Sequence, residues 1–175
     1  MARIAILTAS DKGALGERAD ASGDVIERRL RAGGHELTAR AIVPDDRQSI
    51  ARTLEQWSDA NVAEIIVTTG GTGLTARDVT PEATRDVAER DVPGIPIALW
   101  INGLNKTPFA ILSRGVAVTR GETLIVNLPG NPRAVAEGMD VLLPLFDHVA
   151  TLLRGSLEHR TAADSGHSSD EGDPR

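Results

Sequence analysis

A run of small and hydroxyl-bearing residues at 68–73, reading TTGGTG, has the composition of a phosphate-binding loop. Glycines leave backbone N–H groups accessible, and several such groups at a strand end can form a nest for an anion. The same residues also suit a plain glycine turn, so both interpretations stay open here. No GK[ST] follows, which excludes a P-loop, and we interpret the GxGxxG/A match at 71–76 as fortuitous because the next predicted helix begins only at Thr80.

Two aspartates stand in loops that could face this site. Asp78 closely follows the glycines, and Asp45 follows a predicted strand. Carboxylate oxygens suit Mg²⁺, which proteins commonly bind together with substrate phosphates, so Asp45 and Asp78 are candidate metal ligands. The alternative is that Asp78 only caps or tightens its turn and that Asp45 and Asp46 cap the following helix. For Asp46, capping is the prediction.

Cations and hydroxyls occur in the same group of loops. Lys12, Arg77 and Arg114 could neutralise phosphate charge, and the hydroxyls of Ser10 and Ser113 could donate hydrogen bonds to it. No histidine falls in these loops, which argues against a Ser-His-Asp or histidine-metal site, and the lack of cysteine excludes thiol chemistry. The candidate site is therefore built from Asp, Gly, Ser, Thr and Arg.

The elements that must position these loops alternate between strand and helix. Strands are predicted at residues 4–8, 36–43, 65–69, 116–119 and 123–126. The alternation predicts an α/β fold, a three-layer sandwich with a mostly parallel central sheet. Ligands of such sheets bind beyond the carboxyl ends of the strands, which here carry the loops at 10–13, 44–46, 70–78 and 127–132.

Helix starts are predicted from capping residues. Ser22 is predicted to cap the first long helix, and Thr80 to cap a helix with Pro81 at its first position. The segment 97–104 is apolar enough for a buried helix and is predicted to be one, although it contains Gly103.

Composition bounds the class of protein. The 175 residues carry a formal net charge of −6 and only 2% aromatic residues, which argues against a nucleic-acid-binding protein. No apolar run is long enough for a membrane span, and no secretory signal is evident, so we expect a cytoplasmic protein. One domain is expected over residues 1–160. Residues 161–175, with four acids and one arginine but no large apolar side chain, are predicted to be a disordered acidic tail.

Four separate segments occur in a specific order and spacing. They read IVPDD at 42–46, TTGGTGLTARDVTPEAT at 68–84, ILSRG at 111–115 and NLPGNP at 127–132. Together with an SD–G–D–SG pattern at 10–23, they make the stretch from about residue 3 to 154 similar to the MogA/MoaB family of molybdopterin-binding proteins.

The resemblance implies an enzyme of molybdenum cofactor biosynthesis, a molybdopterin adenylyltransferase. Such an enzyme uses Mg²⁺ and ATP to adenylylate molybdopterin with release of pyrophosphate, and is expected to be a homotrimer that can work with the molybdate-inserting enzyme. By position, Asp45 and Asp78 match the catalytic, metal-associated aspartates of the family. The positions that match its nucleotide and pterin contacts are Ser10, Asp11, Thr69, Gly70, Gly71, Thr72, Gly73, Ser113, Arg114, Pro129, Gly130, Asn131 and Pro132.

One segment departs from the family pattern. After Pro93-Gly94, where the family usually has acidic and basic residues, this chain has Ile97 and Trp100. The change leaves open a lost substrate contact, an altered trimer interface or a more apolar pocket wall. A molybdopterin carrier without catalysis is therefore the alternative function, and a related domain acting on nicotinamide or other nucleotides is a third. Retention of both Asp45 and Asp78 favours catalysis, since a pure binder of an anionic ligand gains nothing from added negative charge.

Overall fold

The structure, a computed structural model, describes the backbone of residues 1–164 and the side chains of residues 1–155. Its last helix continues to Asp164, four residues past the predicted boundary of the tail. The remainder of that predicted tail, residues 165–175, lies outside the described residues.

Within residues 1–164 the chain forms six strands and six α-helices. The strands are β1 (Arg3–Ala9), β2 (Glu36–Val43), β3 (Ile65–Thr69), β4 (Arg90–Asp91), β5 (Ala117–Arg120) and β6 (Thr123–Leu128). The helices are α1 (Asp11–Ala14), α2 (Ala21–Ala32), α3 (Arg47–Asp59), α4 (Thr80–Asp86), α5 (Gly94–Leu104) and α6 (Pro132–Asp164), with a 3₁₀ helix at Pro108–Leu112.

The strands form one sheet in the order β2-β1-β3-β6-β5-β4. The first four strands of that order run parallel, and β5 is antiparallel to both of its neighbours. Thr8 lies opposite Ile42 on one side and Thr69 on the other, and Thr69 lies opposite Leu128. The carboxyl ends of these four strands therefore meet at one edge, which confirms the predicted mostly parallel sheet.

Alternate residues of the sheet pack into two separate apolar cores. Ile4 and Ile6 of β1 face the core formed with α2, α5 and α6, whereas Ala5 and Leu7 face the core formed with α3 and α4. All five residues of β3 are buried, as expected for a parallel strand that is covered on both faces. Helix, sheet and helix thus form the predicted three layers.

Two predicted helix caps are wrong, although the helices themselves are present. Asp20 caps α2, since its Oδ1 accepts the Gly23 N–H at 2.9 Å; the Asp20 carboxylate is held in place by Arg40 and Thr8. Ser22 instead lies inside the helix. Helix α4 begins after Val79 with no side-chain cap, because Thr80 is already its first residue.

The ambiguous segment 97–104 is helical, as part of α5. Gly103 fits there because the helix packs closely on the 3₁₀ helix, where a Cβ at position 103 would lie 2.6 Å from the Ala110 Cβ. Among the described residues, no helix has both the length and the hydropathy that crossing a bilayer requires.

Candidate functional site

The loop after β3 adopts a backbone that only glycine tolerates easily. Gly70 and Gly71 have φ of +95° and +64°, and a Cβ at Gly70 would lie 2.3 Å from the Ala9 carbonyl oxygen. The Gly70 N–H donates to the Leu128 carbonyl at 3.2 Å, and the Thr80 N–H donates to the Gly71 carbonyl at 3.1 Å. The loop is thus tied to β6 and α4 while its centre stays free of bulky side chains.

The loop after β6 lies directly against this glycine loop. Thr69 Oγ1 donates to the Pro129 carbonyl at 2.7 Å, and Ser22 Oγ donates to the Gly130 carbonyl at 2.7 Å. A Cβ at Gly130 would come within 3.3 Å of the Gly70 Cα. The structure therefore brings together two of the loops that the sequence selected, and it gives Ser22 a role in holding them.

Asp45 lies at the end of β2, where it is joined to Asp11 at the end of β1. Each backbone N–H donates to the carboxylate of the other residue at 3.0 Å. Burial raises the pKa of the Asp45 carboxyl, and the negative charge of Asp78 raises it further. A negative charge on Asp78 thus disfavours a second negative charge on Asp45.

Asp78 is held by the residues that precede it. Its Oδ2 accepts the Thr75 hydroxyl at 2.6 Å and the Thr75 N–H at 2.9 Å. Burial acts to raise the pKa of Asp78, but the hydrogen bonds from Thr75 and the Gly73 N–H outweigh it, so the pKa lies below its usual value. Asp78 is therefore ionised at neutral pH.

The described residues contain no group of three or more His, Cys, Asp or Glu side chains arranged to hold a metal ion. Asp45 and Asp78 are two carboxylates on loops at this edge of the sheet. Such a pair suits Mg²⁺, which proteins commonly hold with one or two carboxylates while substrate phosphates and water supply the other ligands.

Arg114 is engaged within the protein. Its Nε donates to the Gly73 carbonyl at 2.7 Å, and its other guanidinium nitrogens bind the Glu82 carboxylate and the Asp78 carbonyl. Of the other candidate cations, Arg77 pairs with Asp11, and Lys12 is exposed. Arg114 therefore holds in place the loop that carries Asp78, a role that we call a loop clamp.

The two candidate serines differ in their surroundings. Ser10 Oγ accepts the Gly13 N–H at 3.1 Å and so caps α1. Ser113 Oγ lies 3.4 Å from Thr72 Oγ1, beside the glycine loop, and the Ser113 carbonyl accepts the indole N–H of Trp100 at 3.1 Å.

Two cavities open at this edge of the sheet and share Gly130 in their walls. The larger, about 510 Å³, is bordered by Thr72, Gly73 and Ser113. The smaller, about 200 Å³, is bordered by Ser10, Asp45, Thr69 and Gly70. Most of the sequence-selected residues thus line one of two adjoining cavities. Among the positions that match the family, the exceptions, which border neither cavity, are Asp11, Gly71, Asp78 and Arg114.

Two parts of this site go beyond the residues that the sequence selected. One face of α5, which contains Pro96, Leu99 and Trp100, lines the larger cavity, so the apolar pocket wall that the sequence left open is present at Trp100. The helical spacing of Pro96 and Leu99 was a usable signal. The other part is Asn127, whose buried Nδ2 donates to Thr68 Oγ1 at 3.0 Å and Thr84 Oγ1 at 2.9 Å. Its signal is a polar side chain in an otherwise apolar strand.

Comparison with known proteins shows the family to which the chain belongs. The family described as "Probable molybdopterin binding domain" matches residues 5–148. The chain is 38% identical over 160 residues to Gephyrin of Dictyostelium discoideum, covering 86% of this chain but 22% of that protein, so it spans less than a quarter of that relative. It is 36% identical over 157 residues to the molybdopterin adenylyltransferase of Helicobacter pylori strain J99, covering 87% of this chain and 88% of that one.

The crystal structure of the molybdopterin biosynthesis enzyme MoaB from Thermus thermophilus superimposes with a TM-score of 0.83 at 46% identity, covering 89% of this chain and 98% of that chain. The family match and the structural similarity thus cover the same region of the chain. The chain belongs to the molybdopterin-binding family of molybdenum cofactor biosynthesis proteins.

Proposed function

We propose that this protein is a molybdopterin adenylyltransferase, which transfers the adenylyl group of ATP to the terminal phosphate of molybdopterin. The observation that carries the proposal is that two cavities share Gly130 in their walls, beside the glycine loop. Two substrates bound in adjoining chambers can bring their phosphates together there. The name of the Helicobacter pylori relative supports the same reaction.

In the reaction, a phosphate oxygen of molybdopterin attacks the α-phosphorus of ATP. A P–O bond forms, the bond from the α-phosphorus to the oxygen bridging to the β-phosphate breaks, and pyrophosphate leaves with that electron pair. Because the attacking phosphate is already ionised, no strong general base is needed, and the protein contributes alignment and charge neutralisation. This accounts for a site without histidine or cysteine.

The residues divide this work between them. The backbone N–H groups of Gly71 and Thr72 in the glycine loop are the proposed donors to phosphate oxygens, and Ser113 Oγ lies beside Thr72. Asp45 and Asp78 would hold Mg²⁺, which when bound neutralises the negative charge of the triphosphate. Arg114 keeps the loop that carries Asp78 in place.

The test is to incubate the purified protein with molybdopterin, ATP and Mg²⁺ and to look for adenylylated molybdopterin and pyrophosphate by mass spectrometry. We expect the product only when Mg²⁺ is present, with an EDTA-treated reaction as the control. Pterin binding without adenylylation would overturn the proposal in favour of a molybdopterin carrier. If the protein binds other nucleotides and molybdopterin does not compete with them, the result would favour a domain that acts on nicotinamide or other nucleotides.

We further propose that the protein is a homotrimer. The outward face of α5 exposes Ile97, Ile101 and Leu104, and the neighbouring 3₁₀ helix exposes Phe109 and Ile111. A helix that is apolar on all sides is usually buried, and an apolar patch of this kind marks a contact surface. Copies of this chain are the proposed occupants, with the number three taken from the MogA/MoaB resemblance. The adenylylated product has to reach the molybdate-inserting enzyme, which is the proposed partner.

A further inference from the structure

Helix α5 turns a second apolar face towards the larger cavity. This face is formed by Pro96, Leu99, Trp100 and Gly103, whose spacing of three, four and seven residues places them on one side of the helix. Trp100 supplies the aromatic ring of this face. Its indole N–H donates to the Ser113 carbonyl at 3.1 Å, so its one polar atom is already used. What Trp100 offers to a ligand is therefore its ring.

The cavity is poor in charge. Among the described residues that line it, Glu137 is the one ionisable side chain, and its Oε1 lies 3.3 Å from the Arg133 Nε. No lysine or arginine of the described chain lines the cavity to hold a phosphate. A volume of about 510 Å³ with these walls suits an uncharged planar ring, while anionic groups are better placed at the glycine loop.

Trp100 is connected to the glycine loop through hydrogen bonds. The Ser113 that accepts its N–H also places its Oγ 3.4 Å from Thr72 Oγ1. The next residue, Arg114, donates its backbone N–H to the Thr72 carbonyl at 2.9 Å. A ring bound against Trp100 would thus carry its phosphate towards Thr72 and Gly73, which line the same cavity.

We propose that Trp100 is a specificity-determining residue of the larger cavity, where its indole stacks on a planar nitrogen heterocycle that carries a phosphate. This inference rests on the proposed function, whose two substrates, a purine nucleotide and a pterin, both have such a ring. Stacking between an indole and a heterocycle is favourable and tolerates different rings, because each presents a π face.

The first experiment measures binding by calorimetry with three probes: AMP, free pterin and inorganic pyrophosphate. We expect Trp100→Leu to raise the Kd of the ring ligand by about tenfold, Trp100→Phe to retain most of the affinity, and pyrophosphate binding to be unchanged in both. Trp57→Leu is the matched control, since Trp57 packs on the opposite face of the sheet. An effect on AMP assigns the cavity to the nucleotide, and an effect on pterin assigns it to the pterin.

The second experiment uses the fact that the chain has two tryptophans. In a Trp57→Phe variant, Trp100 is the sole tryptophan, and saturation with the ring ligand should change its emission, while pyrophosphate should not. Circular dichroism and the Tm of each variant establish that it is folded. If Trp100→Leu does not fold, Trp100→Phe is used in its place.

The outcomes separate this inference from the function on which it rests. If the wild-type protein forms adenylyl-molybdopterin, but folded Trp100→Leu has unchanged Kd values for AMP and pterin, only the proposed role of Trp100 is overturned. If the wild-type protein forms no product, but its binding of a ring ligand depends on Trp100, the stacking role of Trp100 stands and the proposed adenylyltransferase activity is overturned. Product formation together with a raised KM for one ring substrate in Trp100→Leu supports both.

Discussion

Asp11 and Asp45 exchange hydrogen bonds between the ends of two neighbouring strands, each backbone N–H donating to the other's carboxylate at 3.0 Å. The pair fixes the loops after β1 and β2 relative to each other. It occupies Oδ2 of Asp45, while Oδ1 accepts no hydrogen bond from the described residues. Asp11 therefore orients Asp45, and that orientation leaves one carboxylate oxygen available for a ligand.

Asp11→Ala should lower kcat for adenylylation by about tenfold, because the Asp45 N–H loses its acceptor and the loop loses its position. Asp11→Asn keeps an oxygen at the same place and should be closer to wild type. Arg77→Ala is the control, since Arg77 pairs with Asp11 as an exposed ion, and such pairs contribute little. The rate of adenylylation is measured as the rate of pyrophosphate release. Equal rates for wild type and Asp11→Ala would show that the pair does not orient Asp45.

Asp45→Asn and Asp78→Asn should each reduce kcat by about 10²-fold or more, since each removes a charge from the proposed Mg²⁺ site. The Tm should change little, because neither residue is part of an apolar core. Asp46→Asn is a close control: Asp46 caps α3 by accepting the Ser49 N–H at 2.8 Å, and asparagine caps equally well. Near-normal turnover by Asp78→Asn would contradict the proposed site.

Arg114 allows a direct choice between two roles, phosphate ligand and loop clamp. Because one guanidinium reaches Gly73, Asp78 and Glu82, a lysine cannot replace it. As a clamp, Arg114→Lys should lower kcat by about tenfold with KM for ATP nearly unchanged, and Glu82→Gln should do the same. A raised KM in Arg114→Lys alone would instead identify a phosphate ligand. Arg47→Lys, in an exposed pair with Asp86, is the control.

Much of the fold could be predicted because its signals are local. The apolar run of β3 is predicted with its observed bounds, Ile65–Thr69. The strands predicted at 116–119 and 123–126 are present as β5 and β6, joined by a turn at Gly121, whose φ is +54°. The helix caps were mispredicted for a different reason. Asp20 and Ser22 are both good caps in isolation, and the choice between them is made by Arg40 and Gly130, which are distant in sequence.

The candidate site was predictable as a set of loops, because parallel strands end at a common edge. Its division into two cavities was not, since the larger cavity depends on the packing of α5 against the 3₁₀ helix and α6. The roles of the individual site residues and the cytoplasmic location stay predictions.

The apolar surface of α5 gives a test of assembly. Ile101→Glu places a charge on a side chain that is 60% exposed in the single chain, and it should convert a trimer into 18.5 kDa monomers. Leu152→Glu, also at a position that is 60% exposed but on α6, should leave the mass unchanged. Light scattering after gel filtration measures both. A wild type that elutes as a monomer, or an Ile101→Glu variant that keeps its mass, would refute the proposed interface.

Glu64 provides a test of stability that is independent of the active site. Its carboxylate is buried at the start of β3, where it accepts the Arg3 N–H at 2.6 Å and the Arg3 Nε at 2.8 Å, with Arg154 Nε at 3.3 Å. Burial acts to raise the pKa of Glu64, but the hydrogen bonds from Arg3 and Arg154 outweigh it and lower the pKa below the ordinary 4.5. The ionised form is therefore the one that stabilises the fold.

A lowered pKa in the folded state means that the contribution of Glu64 is fully present above pH 4.5 and is lost as the pH falls through the lowered value. Glu64→Gln should therefore reduce the free energy of unfolding by about 1–3 kcal/mol at pH 7, since the partly buried hydrogen bonds from Arg3 and Arg154 lose their charged acceptor, and by progressively less below pH 4.5. Urea denaturation across this range measures the difference. Glu36→Gln, at an exposed position on β2, should show no such trend. A deficit that stays constant down to pH 3 would mean that the charge of Glu64 does not stabilise the fold.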